Sequence, residues 1–227
     1  MLGLGVASLT APHAPAPAQP ARTPAQRDWS RTIVATPEGY RIGNPAARVQ
    51  LVEYGSFTCP ACANFSRNAK PLLVANHVRS GRVSFEFRNM VLNGPDIAAT
   101  LLARCAGPTS FFRIADSLYQ GQDLWLGKIR ALGQARLTAA EALALPQRMN
   151  LYAETGGLYA LAARSGIPPA RARACLADQA TVTRLARIYD SANRQGVTTT
   201  PSFLINGVNT GIHDWASLDP LLRAYAG

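Results

Sequence analysis

The sequence predicts an α/β architecture in two parts, with a long helical segment inserted between strand-forming regions. Three observations predict it. A strand, a helix and a second strand follow one another between residues 49 and 88. The stretch from Gly94 to Gln195 has helical periodicity and no convincing strand, and Asn206-Gly207 marks a hairpin near the end of the chain. The chain therefore divides into residues 1–28, an export-signal remnant with a Pro/Ala-rich linker; 29–93, the first part of the main domain; 94–195, the helical insertion; and 196–227, the second part of the main domain.

The first strands are indicated by apolar patterning and turn residues. Thr32–Ala35 and Tyr40–Ile42 predict a hairpin around Pro37-Glu38-Gly39. Val49–Tyr54 is mostly apolar, which is typical of a strand covered on both faces. Val83–Arg88 alternates in polarity and predicts a further strand.

A helix is predicted between the last two of these strands, from Pro60 to about Ser80. Gly81 is placed to cap its end, and Pro71 is expected to kink it. Its apolar positions at helical spacing are Phe65, Ala69, Leu72 and Leu73.

The insertion and the C-terminal segment carry further helix signatures. Thr138-x-x-Glu141 predicts a capping box, and Gly166, Pro168 and Gly196 are placed where helices end. The first insertion helix has apolar positions at Ile97, Leu101, Leu102 and Cys105. The final helix is expected to present Trp215, Leu218, Leu222 and Tyr225 on one face.

Composition indicates one globular domain, or one domain with a large insertion. Of the 227 residues, 48% are hydrophobic, and no apolar run reaches the roughly 18 residues of a membrane span. The net charge is +10, from 23 basic and 13 acidic residues. Since the arginines are scattered rather than grouped in a stripe, we expect a solvated basic surface rather than a nucleic-acid partner.

The N-terminus predicts export. Leu2 to Ala11 is a short apolar stretch, and small-residue sites such as Ala14-Pro15-Ala16 follow it, but no basic residue precedes it. We interpret it as an export signal without its charged start, with a disordered tail as the alternative. Pro12 to Pro24 is expected to be an extended linker.

The candidate redox site is the motif Cys59-Pro60-Ala61-Cys62. Two cysteines three residues apart in the first turn of a helix lie about 5 to 6 Å apart, which suits a disulfide that opens and closes with little backbone movement. Pro60 is favoured at the first helical position. Cys59 would then lie at the helix N-terminus, where unpaired N–H groups stabilise a thiolate, so we predict it as the nucleophile and the more acidic thiol. Cys62 would be buried, with a higher pKa, and would resolve the mixed disulfide.

Two other interpretations of the cysteine pair stay open. A zinc site needs a second ligand pair, and neither Cys105 nor Cys175 has a cysteine or histidine near enough in sequence to supply one. A purely structural disulfide is the other. The histidines His13, His77 and His213 share no spacing with the cysteines, and we assign them no catalytic role.

Two segments resemble a known family. Leu51 to Cys62 resembles the strand and active-site helix start of DsbA-like proteins of the thioredoxin fold, and Gly196 to Gly207 resembles the cis-proline loop and the following strand of that family. The resemblance covers roughly Thr32 to Ala226. It implies a thioredoxin fold with an inserted all-helical subdomain.

The resemblance also implies roles for individual residues. Thr200-Pro201 would be a cis-proline dipeptide beside the cysteines that pairs with a bound substrate strand; an ordinary trans proline is the alternative. Glu53 would be a buried acid that assists proton transfer, with a raised pKa; the alternative is a surface glutamate. Many strongly oxidising members have histidine where this chain has Ala61, so we expect a less acidic Cys59 and a less oxidising pair than in those members.

The segments around Cys105 and Cys175 resemble those that carry a second, non-catalytic disulfide in one branch of the family. A structural bridge argues for an oxidising compartment. Two buried free thiols are the alternative.

The function implied is a thiol-disulfide oxidoreductase in the periplasm. It would transfer the Cys59-Cys62 disulfide to reduced, incompletely folded exported proteins and be re-oxidised by a membrane partner. We expect a monomer that uses no metal and no organic cofactor and binds no nucleic acid. A disulfide reductase or isomerase is the first alternative, favoured by Ala61 and Thr200, and a non-catalytic peptide-binding module is the second.

Overall fold

A computed structural model describes residues 27–227 of the protein, and the predicted export signal and linker lie outside these residues except for their last two positions. Its centre is one six-stranded mixed sheet with the order β1-β2-β4-β3-β5-β6. The strands are β1 (Ile33–Ala35), β2 (Gly39–Gly43), β3 (Val49–Gly55), β4 (Val83–Asn89), β5 (Ser202–Ile205) and β6 (Val208–Asn209). β3 and β4 are parallel, and every other neighbouring pair is antiparallel.

The central strand β3 is covered on both faces, as its apolar sequence predicts. Successive side chains of a strand point to opposite faces. Val49 and Leu51 belong to the larger core, which also holds the cysteine pair, whereas Val52 and Tyr54 pack in a smaller core on the other face. Glu53 has the same parity as Leu51, so it points toward the face that carries the cysteines.

The chain is helical from Pro60 to Val78, but it is not one regular helix. It consists of α1 (Pro60–Asn64), a π-helical turn (Phe65–Ala69), α2 (Lys70–Leu73) and a second π-helical turn (Val74–Val78). Pro71 cannot donate to the carbonyl four residues earlier, and the wide turn just before it accommodates this loss.

The predicted apolar face of this helix is wrong at one position. Leu73 is fully buried, whereas Leu72 is 47% exposed. Each π-helical turn adds a residue to the helical repeat, which rotates the later side chains relative to a regular helix. The face that starts at Phe65 therefore reaches Leu73 and leaves Leu72 in solvent.

The insertion is helical throughout, as predicted. Its helices are α3 (Gly94–Cys105), α4 (Pro108–Gln120), α5 (Gln122–Arg130), α6 (Gln134–Glu141), α7 (Leu145–Gly156), α8 (Leu158–Arg164), α9 (Pro169–Leu176) and α10 (Gln179–Arg194). The predicted stop signals lie at helix ends: Gly166 and Gly196 follow α8 and α10 with φ of 84° and 70°.

The predicted capping box is wrong. Gly133, at φ 78°, turns the chain, and α6 begins directly after it at Gln134. Thr138 therefore lies inside α6, where its hydroxyl accepts a hydrogen bond from Gln134 Nε2 at 3.2 Å. Glu141 is the last residue of the helix and is bound by Arg148 and Tyr152 instead.

The C-terminal segment returns to the sheet. β5 and β6 form the predicted hairpin, with Asn206 (φ 50°) and Gly207 (φ 83°) in the left-handed region that this tight turn requires. The last helix, α11 (Trp215–Ala226), buries Leu218 and Leu222 as predicted. Tyr225 is 48% exposed, against the prediction, because the next buried position after Leu222 is four residues on, at Ala226.

Cys105 at the end of α3 and Cys175 in α9 are joined by a disulfide, with a Cα–Cα distance of 5.9 Å. The bond links the start of the insertion to its later part, across a sequence separation of 70 residues.

We predict that replacing both Cys105 and Cys175 with alanine lowers the free energy of unfolding by roughly 4 kcal/mol, because the unfolded chain is then no longer closed into a long loop. Urea unfolding measures the loss. Alkylation of non-reduced protein followed by mass spectrometry is the direct check, and labelling of both residues in the wild type would show that the bond does not form in solution.

Candidate active site

Cys59 lies at the N-terminus of α1, directly after the turn that follows β3. Its backbone is extended, and Pro60 occupies the first helical position, where a missing N–H costs no hydrogen bond. Cys59 Sγ accepts a hydrogen bond from the Cys62 N–H at 3.4 Å and donates one to the Thr200 carbonyl at 3.2 Å. Both cysteines are free thiols. Cys59 is 8% exposed and Cys62 is fully buried, so Cys59 is the more exposed member of the pair.

The two thiols have opposite acidities. A hydrogen bond from the Cys62 thiol is the largest cause that lowers the pKa of Cys59, to about 5. The Thr200 side chain and the N–H groups of Cys62 and Ala61 lower it further, against the effect of burial. Burial raises the pKa of Cys62 well above its usual range, and its hydrogen bond to Cys59 and the nearby Glu53 carboxyl act in the same direction. The helix N-terminus thus contributes to the acidity of Cys59, as the sequence suggests, but the Cys62 thiol contributes most.

Glu53 is a buried side chain of the central strand and not a surface residue. It is 2% exposed, and its Oε1 has no hydrogen-bond partner among the described residues. Burial raises the pKa of Glu53 to about 8, and the charge of Lys70 opposes part of this rise. A carboxyl group with such a pKa holds a proton at neutral pH and can exchange it with a neighbouring thiolate.

The Thr200–Pro201 peptide bond is cis, and it brings the Thr200 carbonyl to the Cys59 sulfur. The site includes a histidine that the sequence did not indicate. His213 Nδ1 donates a hydrogen bond to the Pro201 carbonyl at 2.8 Å and lies 3.3 Å from Ser202 Oγ. His213 therefore supports the cis-proline loop from the chain segment before α11.

Asp96 is a second buried acid that sequence reasoning missed. It lies in the first turn of α3 and accepts hydrogen bonds from Ser56 Oγ at 2.5 Å, Phe57 N at 2.9 Å and Leu92 N at 3.0 Å. Burial raises the pKa of Asp96 to about 6, although these hydrogen bonds favour its charged form. Asn93 before Gly94-Pro95 is a helix N-cap signature that locates this turn in the sequence, but its contact with the cysteine loop depends on the fold.

Cys59, Cys62, Glu53, Thr200 and Pro201 thus come together, whereas Cys105 and Cys175 are bonded to each other within the insertion. Within residues 27–227, no group of three or more His, Cys, Asp or Glu side chains lies where it could hold a metal ion.

Comparison with known proteins decides the family. A family model described as thioredoxin matches residues 35–224. The chain belongs to the thioredoxin family. This thioredoxin-family protein is also similar to the crystal structure of protein-disulfide isomerase from Novosphingobium aromaticivorans, with 32% identity and a TM-score of 0.78 over 82% of this chain and 96% of that one.

Two further relatives resemble this thioredoxin-family protein. Wolbachia pipientis alpha-DsbA1 shares the fold, with 21% identity and a TM-score of 0.67 over 86% of this chain and 94% of that one. A Rickettsia felis protein with the provisional name protein-disulfide oxidoreductase is 28% identical over 197 residues. That match covers 86% of this chain and 63% of the relative, so the chain spans less than two thirds of its length. The predicted membership of the DsbA-like thioredoxin-fold proteins, with a helical insertion, is confirmed.

We predict that the thiolate of Cys59 in the reduced thioredoxin-family protein titrates with a midpoint near pH 5, seen in ultraviolet thiolate absorbance. Since the folded pKa is lower than the unfolded value of about 9, the thiolate adds stability to the reduced protein. This addition is complete above about pH 9 and is lost as the pH falls through about 5.

A matched pair of variants separates the causes of this acidity. Cys62→Ala removes the hydrogen bond to Cys59 and should raise the midpoint by about one pKa unit or more. Cys62→Ser keeps a hydroxyl donor and should raise it less. Midpoints for both variants equal to that of the wild type would show that the Cys62 side chain does not stabilise the thiolate.

We also predict that Glu53→Gln stabilises the protein by roughly 3 kcal/mol at pH 7, because each pH unit between the unfolded and folded pKa values costs the wild type about 1.4 kcal/mol. The unfolded chain loses the Glu53 proton near pH 4.5 and the folded protein near pH 8, so the wild type loses stability between these pH values and the variant does not. Urea unfolding of both proteins at pH 4 and pH 7 measures the difference. A stability gap that is equal at the two pH values would contradict a raised pKa for Glu53.

Proposed function

We propose that this protein is a thiol-disulfide oxidoreductase that transfers its Cys59-Cys62 disulfide to reduced, incompletely folded exported proteins. The observation that carries the proposal is the environment of Cys59. Its thiol has a pKa of about 5, contacts the carbonyl of a cis-proline dipeptide and lies beside the more deeply buried thiol of Cys62. The provisional name of the Rickettsia felis relative supports the same chemistry.

The exchange begins from the oxidised protein. A substrate thiolate attacks Cys59 Sγ, the Cys59-Cys62 bond breaks, and Cys62 leaves as a thiolate while a mixed disulfide forms between the substrate and Cys59. The thiolate of Cys62 is poorly stable because it is buried, so it takes up a proton. We assign the donor as Glu53, whose raised pKa keeps it protonated at neutral pH.

A second substrate thiolate completes the reaction. It attacks the substrate sulfur of the mixed disulfide, and Cys59 leaves as a thiolate. A leaving thiol of low pKa departs faster, and the reduced protein gains from the stabilised Cys59 thiolate. The faster departure of Cys59 and the greater stability of the reduced protein both favour a donor of disulfides. In the whole reaction the substrate is oxidised by two electrons, and the Cys59-Cys62 pair is reduced by two.

The cis-proline loop supplies the place for the substrate. Thr200 and Pro201 lie beside Cys59, and we assign their backbone to the binding of an extended substrate segment. The Pro201 carbonyl already accepts a hydrogen bond from His213, and proline has no backbone N–H. The substrate segment would therefore pair with the backbone N–H and carbonyl of Thr200.

We further propose that the protein acts in the periplasm as a monomer and that a membrane partner re-oxidises it. The structural disulfide Cys105–Cys175 supports an oxidising compartment. Among the residues that the structure describes, no helix is long and apolar enough to cross a membrane.

An isomerase is the second candidate, and the similarity to the protein-disulfide isomerase from Novosphingobium aromaticivorans favours it. An isomerase starts from its reduced form and rearranges incorrect disulfides, whereas an oxidase starts from its oxidised form. The residue Ala61 in place of histidine is compatible with either direction.

The decisive experiment mixes the oxidised protein with a reduced, unfolded secretory ribonuclease and follows the return of ribonuclease activity. We predict one substrate disulfide formed per molecule of protein consumed and no activity for Cys59→Ser. We expect Cys62→Ser, mixed with a ribonuclease that carries an activated disulfide, to accumulate a mixed disulfide through Cys59, because its resolving thiol is missing.

A scrambled ribonuclease is the comparison substrate. If ribonuclease activity returns faster from the scrambled than from the reduced substrate, the protein is an isomerase and not an oxidase. Absence of exchange with both substrates, together with binding of the unfolded chain by Cys59→Ser, would leave only a peptide-binding module.

A further inference from the structure

Gln122 is the first residue of α5, and its side chain points out of the insertion into the loop that carries Cys59. It is 2% exposed. Its Nε2 donates hydrogen bonds to two backbone carbonyls of this loop, Phe57 O at 2.8 Å and Cys59 O at 3.0 Å. One amide group of the insertion therefore holds the backbone of the nucleophile itself.

The remaining residues of the loop are also tied to the insertion. Asp96 accepts from Ser56 Oγ and from Phe57 N, and Asn93 Nδ2 donates to Thr58 Oγ1 at 2.9 Å. The contacts of Asp96 and Asn93 stop at Thr58. Gln122 is the insertion side chain that continues the contact to Cys59.

The orientation of the Cys59 backbone decides where its sulfur lies. As the N-cap residue of α1, Cys59 has φ −84° and ψ 121°, and this conformation places Sγ at 3.4 Å from the Cys62 N–H. Its carbonyl accepts from Ala63 N at 3.1 Å and from Gln122 Nε2. The ψ angle of Cys59 sets both the orientation of this carbonyl and the direction of α1 relative to the Cys59 side chain. A different carbonyl orientation would therefore change the distance from Sγ to the N–H groups of α1.

We propose that Gln122 is a positioning residue for disulfide exchange, which holds the Cys59 carbonyl so that Sγ lies at the N-terminus of α1. Through it, the helical insertion controls the reactivity of a nucleophile that belongs to the main domain. This inference rests on the proposed function, and it goes beyond that function because it assigns part of the thiolate stabilisation to a residue of the insertion.

The test replaces Gln122 with methionine, which keeps the length of the side chain and removes both hydrogen bonds. We expect the acid dissociation constant of Cys59 to fall about tenfold, seen as a higher midpoint in the thiolate absorbance titration. The equilibrium constant against glutathione should move about tenfold toward the less oxidising side, which is about 30 mV for a two-electron couple. The matched control is Gln147→Met, an exposed position in α7, which should leave both quantities unchanged.

Gln122→Asn is the milder variant. It retains an amide in the buried site but is shorter by one methylene group, so it should shift both quantities in the same direction by less than the methionine variant. If Gln122→Met does not fold, the asparagine variant decides the question.

A structural role alone would lower the free energy of unfolding and leave the titration and the glutathione equilibrium of the folded protein unchanged. That result would overturn the role of Gln122 while wild-type exchange with reduced ribonuclease continued. Failure of the wild type itself to exchange disulfides would instead overturn the proposed function.

Discussion

The stabilisation of one thiolate at a helix N-terminus is the interaction on which the rest of the site depends. Cys59 must end the turn after β3, begin α1 and contact the cis-proline loop at the same time. Three separate parts of the chain meet this requirement. The main domain supplies the helix, residues after the insertion supply Thr200, and the insertion binds the loop through Asp96 and Gln122. The inserted helices therefore do more than enlarge the core, because they hydrogen-bond to the loop from which the Cys59 side chain projects.

The fold separates the acidities of two chemically identical groups. Cys59, which is 8% exposed, receives hydrogen bonds that favour its anion, and Cys62, one helical turn further along and fully buried, lies in an environment that penalises charge. Glu53 lies on the same side of the sheet as the cysteines and is held neutral by burial. The more stable anion is thus at Cys59, and the protons are held at the more deeply buried Cys62 and Glu53, which suits the proposed exchange in which Cys59 is the leaving group.

Local sequence patterns predicted the fold correctly at positions where one residue type determines the backbone conformation. Asn206-Gly207 supplies the turn between β5 and β6, and Pro60 starts α1. The capping prediction failed at Thr138 because α6 begins earlier, at Gln134. The burial predictions failed at Leu72 and Tyr225, where π-helical turns or the rotation of the helix about its axis leave these side chains exposed. The site residues Asp96, Gln122 and His213 were not predicted. Their contacts cross between segments far apart in sequence, and no local spacing records them.

The reduction potential of the Cys59-Cys62 pair tests the account most directly, by equilibration against defined glutathione ratios with the Cys105–Cys175 disulfide intact. A Cys59 pKa of about 5 lies between those of the nucleophiles of DsbA, about 3.5, and thioredoxin, about 7. We therefore predict a potential of about −180 mV, between about −120 mV for DsbA and about −270 mV for thioredoxin. A value near −270 mV would contradict the account, because the pair would then be a reductant despite its stabilised thiolate.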